Sequence, residues 1–345
     1  MEGTVVKIAA SACYVDDGET IYECAARGKL TESDTGQSKP LAVGDRVEFR
    51  EIDEGQGVVE RVLPRETKLS RSHPHDPRIE KVMVANVDQV VIVASVKSPP
   101  LNPAAIDRFM IAAEAGGLAP LICINKVDLA EDESEYAEVA DTYRELDLPV
   151  ILTSAKTGNG VEKLKTFMKD KSTVLAGHSG TGKSSLINAV QPGLELRTGD
   201  LTSGGKGKHV TSNVSLLKLD FGGYVVDTPG TREFSLWDVD KREVQEFFPA
   251  IWELAGECKM PDCMHVHEPK CAVQKAVEEG ELPEVRYDSY RRILDSIEEF
   301  AAPRATDVER PEEQIPREKR GRSRQDWRQW ARERAEEELS DRYGD

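Results

Sequence analysis

Residues 177 to 184 read Gly-His-Ser-Gly-Thr-Gly-Lys-Ser, the G-x-x-x-x-G-K-[ST] pattern of a phosphate-binding loop. Its glycines let successive backbone N–H groups turn inward on phosphate oxygens, and the helix opening behind them adds partial positive charge. In this reading Gly177, His178, Ser179, Gly180, Thr181 and Gly182 wrap the phosphates. Lys183 meets the β- and γ-phosphates, Ser184 gives its hydroxyl to Mg2+, and Ser185 sits beside it in the first helical turn. A predicted strand at Thr173–Ala176 precedes the loop and a helix reading SSLINAV comes after it, the context the pattern requires. Asp227-Thr228-Pro229-Gly230 ends a second predicted strand, Gly223 to Val226. The Asp227 carboxylate there is a further Mg2+ ligand, direct or through water, and the Gly230 N–H faces the γ-phosphate.

Asn125-Lys126-Val127-Asp128 closes the apolar run LICI. A carboxylate at Asp128 accepts two hydrogen bonds from the N1–H and 2-amino group of guanine. Adenine offers neither donor and leaves the charge unpaired, which argues against an ATP-using enzyme. Asn125 ties this loop to the phosphate loop, and the stem of Lys126 covers the base. Ser154-Ala155-Lys156, after the next predicted strand, offers backbone N–H groups to guanine O6. Ordinary GTPases carry the phosphate loop first; here the guanine reader precedes it. Native termini usually lie close together, so a fold tolerates being rejoined and reopened elsewhere. The chain then leaves the GTPase core just after Gly230, so its C-terminal part is wired to the segment that feels the γ-phosphate.

That C-terminal part carries Cys258, Cys263, His265, His267 and Cys271. Three thiolates and one imidazole make a closed tetrahedral set for one structural Zn2+. On composition and spacing either histidine could complete it. Between the phosphate-loop helix and the next strand lies LTSGGKGKHVTSN, whose glycines and lysines read as a loop that orders on meeting a ligand. Thr211, with Ser212 as its alternative, is the expected contact to Mg2+ and the γ-phosphate. Gly230 is succeeded by Thr231 where many GTPases hold a water-orienting Gln, so intrinsic turnover is expected to be slow.

Together these residues resemble the ribosome small-subunit biogenesis GTPase family, the RsgA/YjeQ type. The likeness runs from residue 1 to about residue 300. It is carried by Arg27-Gly28-Lys29, Val43-Gly44-Asp45, NKVD, SAKTG, GHSGTGKSSLIN, DTPGTREFSLW and the Cys/His knot. The resemblance implies a GTP hydrolase that acts late in maturation of the small ribosomal subunit and is stimulated by it. It selects His265 over His267 as the fourth zinc ligand. It implies that His209, in the loop before Thr211, supplies the missing contact to water once the loop is ordered on the ribosome. A second reading is a non-catalytic, GTP-gated module that binds rRNA during assembly.

The elements that must position these residues form three units and a tail. Residues 1–67 show short β-branched runs with Gly/Asp punctuation and no helical period, a five-stranded barrel of the OB type. Residues 68–238 alternate strand and helix from about residue 85, a parallel sheet with helices on both faces. The expected elements are a strand over Val87–Val96, a helix over Pro103–Gly116 with Ile106, Phe109 and Met110 on one face, and a strand at Pro120–Ile124. A charged helix comes next, near Glu131–Leu146, then the strand VILTS. Residues 239–300 are mostly helical around the Cys/His knot. Residues 301–345 form a charged tail, locally basic from Arg317 to Arg334, with Trp327 and Trp330 available to stack on unpaired rRNA bases.

Composition bounds this picture. The 345 residues carry a formal net charge of -17, which excludes a protein coated in basic patches and leaves RNA binding to local segments. No apolar run approaches bilayer length and the start lacks a signal-peptide layout, so the expectation is a cytoplasmic monomer with no membrane partner. Cys13, Cys24 and Cys123 lie in apolar surroundings and read as core residues.

Overall fold

The structure is a computed structural model and describes residues 1–9, 12–26, 41–73, 76–194, 214–227, 236–237 and 239–300. Five strands at the start, β1 (Glu2–Ile8), β2 (Cys13–Asp16), β3 (Ile21–Ala26), β4 (Arg46–Asp53) and β5 (Gln56–Val62), close into a barrel in the order β1-β2-β3-β5-β4. Alternation of buried and exposed side chains along β2 and β3 sends Cys13, Val15, Tyr22 and Cys24 inward to meet Val5, Val47, Phe49 and Val59. The expected five-stranded barrel is present, and Cys13 and Cys24 are core residues. Burial pushes both thiols up to about 11, so they are inert at neutral pH.

The Val43-Gly44-Asp45 stretch joins this barrel to the next unit. Gly44 has φ +89°, and a Cβ there would lie 1.9 Å from the Ala85 carbonyl oxygen. The close approach lets Ala85 N–H donate to Val43 O at 2.9 Å. Buried Asp45 accepts from Arg65 at 2.6 and 2.9 Å and from the Ala42 amide at 2.7 Å, satisfying its charge. Ala85 ends a two-stranded hairpin, β6 (Lys68–His73) and β7 (Asp76–Ala85), which the strand–helix alternation does not predict.

Beyond the hairpin comes the six-stranded sheet, in the order β10-β9-β8-β11-β13-β12. Its strands are β8 (Gln89–Ser95), β9 (Ala119–Asn125), β10 (Val150–Leu152), β11 (Ser172–Ala176), β12 (Leu216–Lys218) and β13 (Tyr224–Asp227), parallel except for β12. β8 and β9 are buried at every position, as a parallel sheet covered on both faces demands. Helices α1 (Pro103–Ala115) and α2 (Ser134–Arg144) pack on one face through Ile106, Phe109, Ala140 and Tyr143. Helices α3 (Val161–Met168) and α4 (Lys183–Val190) cover the other through Leu164, Phe167, Leu186 and Ile187. Cys123 lies in this second core, where burial pushes its thiol up to about 12.

The barrel also touches this sheet. Lys7 of β1 bridges to Ser215, and Ile8 N–H donates to Val214 O at 3.4 Å. The last unit holds α5 (Lys241–Val244), started by an Asp240/Glu243 capping box, α6 (Pro249–Ala255), α7 (Ala272–Glu278) and α8 (Glu284–Phe300). Val244, Phe248, Ile251, Val273, Tyr290 and Ile293 form its core, which Ile111 of α1 enters from the neighbouring unit. Among the described residues no helix is long and apolar enough to cross a membrane.

Candidate functional site

Three loops gather at the carboxyl end of the parallel strands, where open α/β sheets bind ligands. β9 delivers Asn125 to Asp128, β10 delivers Ser154 to Lys156, and β11 delivers Gly177 to Lys183. Asn125, 1% exposed, stitches all three. Its Nδ2 donates to Thr181 O at 2.9 Å, and its Oδ1 accepts from Thr153 Oγ1 and the Ala155 amide, both at 3.2 Å. The permuted halves therefore meet as their residue types predict.

Asp128 presents an exposed carboxylate, and Ser154 Oγ donates to its Oδ1 at 2.6 Å. Ser154 thus orients the acid in addition to lending its loop; Thr157 N–H donates to Ser154 Oγ at 3.1 Å and fixes the hydroxyl in turn. Lys126 adopts φ 63° and lies across the site, with Nζ donating to Gly180 O at 2.6 Å and also to Ser98 O. Burial lowers its pKa, and the Asp128 charge pulls in the opposite direction.

Behind the phosphate loop α4 begins at Lys183, one residue ahead of the predicted SSLINAV helix. Lys183 is 6% exposed, and its Nζ donates to the Gly177 and His178 carbonyls at 2.7 and 2.9 Å. The ammonium is thereby held at the centre of a ring of backbone. Burial, then the charges of Arg108 and Lys183, lower the His178 pKa and so favour its neutral imidazole. Ser184 and Ser185 fall in the first turn of α4, half-buried and exposed. Asp227 ends β13 in register with Leu175, beside the phosphate loop. His209, Thr211, Ser212, Gly230, Thr231, Arg27 to Lys29 and the 301–345 tail lie outside the described residues.

Gly182 shows how tight the junction is. It has φ +95°, and a Cβ would sit 2.4 Å from Asn125 Nδ2. Gly182→Ala should therefore strain the left-handed backbone and push Asn125 off Thr181 O. A cost of about 2 to 3 kcal/mol corresponds to a loss of nucleotide affinity of about 30- to 160-fold. Titration with a fluorescent GDP checks this; unchanged affinity would refute the junction's role.

The second cluster is Cys258, Cys263, His265 and Cys271, whose ligand atoms all lie within 4.8 Å of one another. Cys258 Sγ is 3.5 Å from His265 Nδ1 and 3.9 Å from Cys271 Sγ, and His265 Nδ1 is 3.4 Å from Cys271 Sγ. Tetrahedral Zn2+ bound at ordinary Zn–S and Zn–N lengths gives S–S edges of about 3.8 Å and S–N edges of about 3.5 Å. The donor set fits that ion. His265 Nε2 lies 3.0 Å from Gln245 Oε1, so a proton on Nε2 leaves Nδ1 free as the ligand. His267 is exposed and stands outside the cluster, so the geometry agrees with the choice of His265.

Two supporting residues escape sequence reading. Glu268 accepts from the amides of Met264, Val266 and His267 at 2.8 to 3.0 Å. Burial raises its pKa, but these donors outweigh burial and bring it down to about 2. Tyr287 donates to His265 O at 2.6 Å. Glutamate and tyrosine in a polar stretch carry no signal that they fasten a metal loop.

A nucleotide cradle at one end of a parallel sheet, with its guanine loop ahead of its phosphate loop, defines a circularly permuted P-loop GTPase. Family comparison narrows this class. Residues 62–237 match the model of the RsgA GTPase, and residues 2–59 match that of the RsgA N-terminal domain. The chain belongs to the RsgA GTPase family, and its activity class is GTP hydrolysis. It is 39% identical over 300 residues to a protein of Caldanaerobacter subterraneus subsp. tengcongensis called small ribosomal subunit biogenesis GTPase RsgA, covering 87% of this chain and 96% of that one. A protein of the same name from Thermotoga petrophila is 41% identical over 297 residues, covering 85% and 95%. Among solved structures, YjeQ from Thermotoga maritima aligns at TM-score 0.66 and 39% identity over 88% of this chain and 99% of that one. YloQ, described as a circularly permuted GTPase, aligns at TM-score 0.62 and 33% identity over 86% and 95%.

Proposed function

We propose that this chain hydrolyses GTP on the small ribosomal subunit during the subunit's late maturation, as a cytoplasmic monomer contacting rRNA. The observation that carries this reading is the Asn125 stitch, 2.9 Å from Nδ2 to Thr181 O, which ties the Asn125–Asp128 loop to the phosphate loop and so supports one nucleotide shared between them. Asp128 reads the base, with Lys126 covering it and Ser154, Ala155 and Lys156 closing its edge. Gly177 to Lys183 hold the phosphates. Ser184, Thr211 and Asp227 serve Mg2+, Ser185 supports the turn, and Gly230 meets the γ-phosphate. Residues 1–67, 68–238 and 239–300 act as barrel, GTPase and zinc domains. One Zn2+ is held by Cys258, Cys263, His265 and Cys271. The 301–345 tail supplies the basic and aromatic contacts to rRNA that an acidic body lacks.

With Thr231 in place of a water-orienting Gln, catalysis depends on His209 once its loop is ordered by the subunit. The pairing of β1 with Val214 and Ser215, three and four residues beyond Thr211, supports this, because the barrel then holds one end of that loop. Multiple-turnover phosphate release, with and without small subunits, tests the reading. Wild-type protein should be slow alone and strongly stimulated by subunits. His209→Ala should keep GTP affinity and lose the stimulation, about a hundredfold or more in stimulated rate. Equal rates with and without subunits would reject the proposed function. Full stimulation in His209→Ala would reject only the catalytic role of that residue.

A further inference from the structure

Helix α1 touches both the nucleotide loops and the C-terminal unit. Residues 96–102, which lead into it, lie against the loops. Lys126 Nζ donates to Ser98 O as well as to Gly180 O, and Ser95 Oγ donates to Pro99 O at 2.8 Å. A small cavity separates the helix from the phosphate loop, lined by Pro99, Asn102, Ala105, Phe109, His178 and Thr181 among others. Asn102 caps α1, accepting from the Ala105 amide at 3.3 Å. Any shift of α1 is thus felt at the carbonyl that anchors Lys126.

On its other side α1 meets the C-terminal unit through Ile111 and through a buried guanidinium. Arg286 of α8 pairs with Asp107 of α1, 179 residues away, and their side chains are 8% and 2% exposed. The same guanidinium lies over the Phe248 ring at 4.6 Å and the Tyr143 ring at 5.5 Å. Tyr143 belongs to α2, and its hydroxyl donates to Pro103 O, in the first turn of α1, at 3.1 Å. Arg286 therefore holds α1, α2 and its own unit together. A buried ion pair is poor evidence of stability, because desolvation offsets most of the attraction; an apolar contact would hold the units equally well. A planar guanidinium adds direction: it fixes one orientation of the groups around it.

We infer that Arg286 is a positioning residue for nucleotide binding, seating α1 through Asp107 and Tyr143 and, through residues 96–102, the Lys126 clamp over the base. The C-terminal unit then governs nucleotide affinity and release without touching the nucleotide. This rests on the reading that Asn125–Asp128 and Gly177–Ser184 hold one guanine nucleotide.

The test is equilibrium titration and stopped-flow release of a fluorescent GDP on the full-length protein, well below its melting temperature. Wild-type binding, and its loss in Asp128→Asn, check the site itself; failure there rejects the underlying reading. With the site intact, Arg286→Met and Asp107→Asn should each speed release and raise Kd about three- to thirtyfold. The double variant should lose no more than either single one. Arg286→Lys keeps the buried charge and protects the fold, yet an ammonium lacks the planar fork, so its Kd should still rise about threefold or more. A purely structural role would lower the melting temperature and leave Kd and release within about twofold of wild type. That result in folded Arg286→Lys would overturn the inference.

Discussion

Asp128→Asn is expected to abandon GTP and accept xanthosine triphosphate. On the proposed reading the Asp128 carboxylate accepts from both N1–H and the 2-amino group of guanine, two charge-assisted bonds of about 1.5 to 3 kcal/mol each. Asparagine sets an NH2 against the 2-amino group, donor against donor. Xanthine carries a carbonyl at that position and accepts from the new amide. The GTP Kd should rise about 10²- to 10⁴-fold. The fold should survive, because the asparagine Oδ1 can still accept the Ser154 hydroxyl that lies 2.6 Å from Asp128 Oδ1. Competition titrations with guanine, xanthine and adenine nucleotides measure this. Undiminished GTP binding in the variant would mean that Asp128 does not read the base.

The second large effect concerns the Cys/His cluster. Cys263→Ser should abolish metal binding and unfold the elements from α5 to α8. Structural Zn2+ in small domains contributes about 10 to 16 kcal/mol of apparent binding energy, more than a core of this size supplies on its own. Here Cys263 and Cys271 are themselves part of the apolar core with Phe248, Val273 and Tyr290, so their departure opens it. Metal analysis should fall from one zinc per chain to none, helical circular dichroism should drop, and chelators should reproduce both changes in the wild type. Guanine nucleotide should still bind, because the proposed nucleotide loops, Asn125–Asp128, Ser154–Lys156 and Gly177–Ser184, belong to the neighbouring unit. It should bind more weakly if Arg286 seats α1 as inferred. Retained helical signal after complete loss of metal would show that the cluster is not what folds the unit.

Much of this site is legible in residue order. Gly177–Ser184, Asn125–Asp128 and the Cys/His spacing each specify their chemistry locally, because backbone amides, a strand tip and a short metal loop need few residues and fixed offsets. The strand and helix rhythm is legible for the same reason: fully apolar runs such as Val90–Ala94 leave little choice but a buried strand. The β6–β7 hairpin is not, since Ser70, Ser72 and Glu80 are polar residues that the fold buries. Ser72 is buried because its hydroxyl donates to Leu236 O at 2.8 Å, a partner 164 residues away. Glu268 reads as a solvated acid until the knot turns three amides onto it.

The order and spacing of residues by themselves determined the kind of protein this is: a guanine reader, a phosphate cradle and a thiolate–imidazole knot, in permuted order. These arise from short-range geometry, in which a few neighbours along the chain make the whole device. Only the tertiary structure decided how the devices are joined. Asn125 meeting Thr181, β1 pairing with Ser215, and Arg286 inserted between Asp107, Tyr143 and Phe248 are contacts between residues far apart in the chain. No local propensity encodes such partners; they are selected when the three units pack and most buried polar groups find a counterpart.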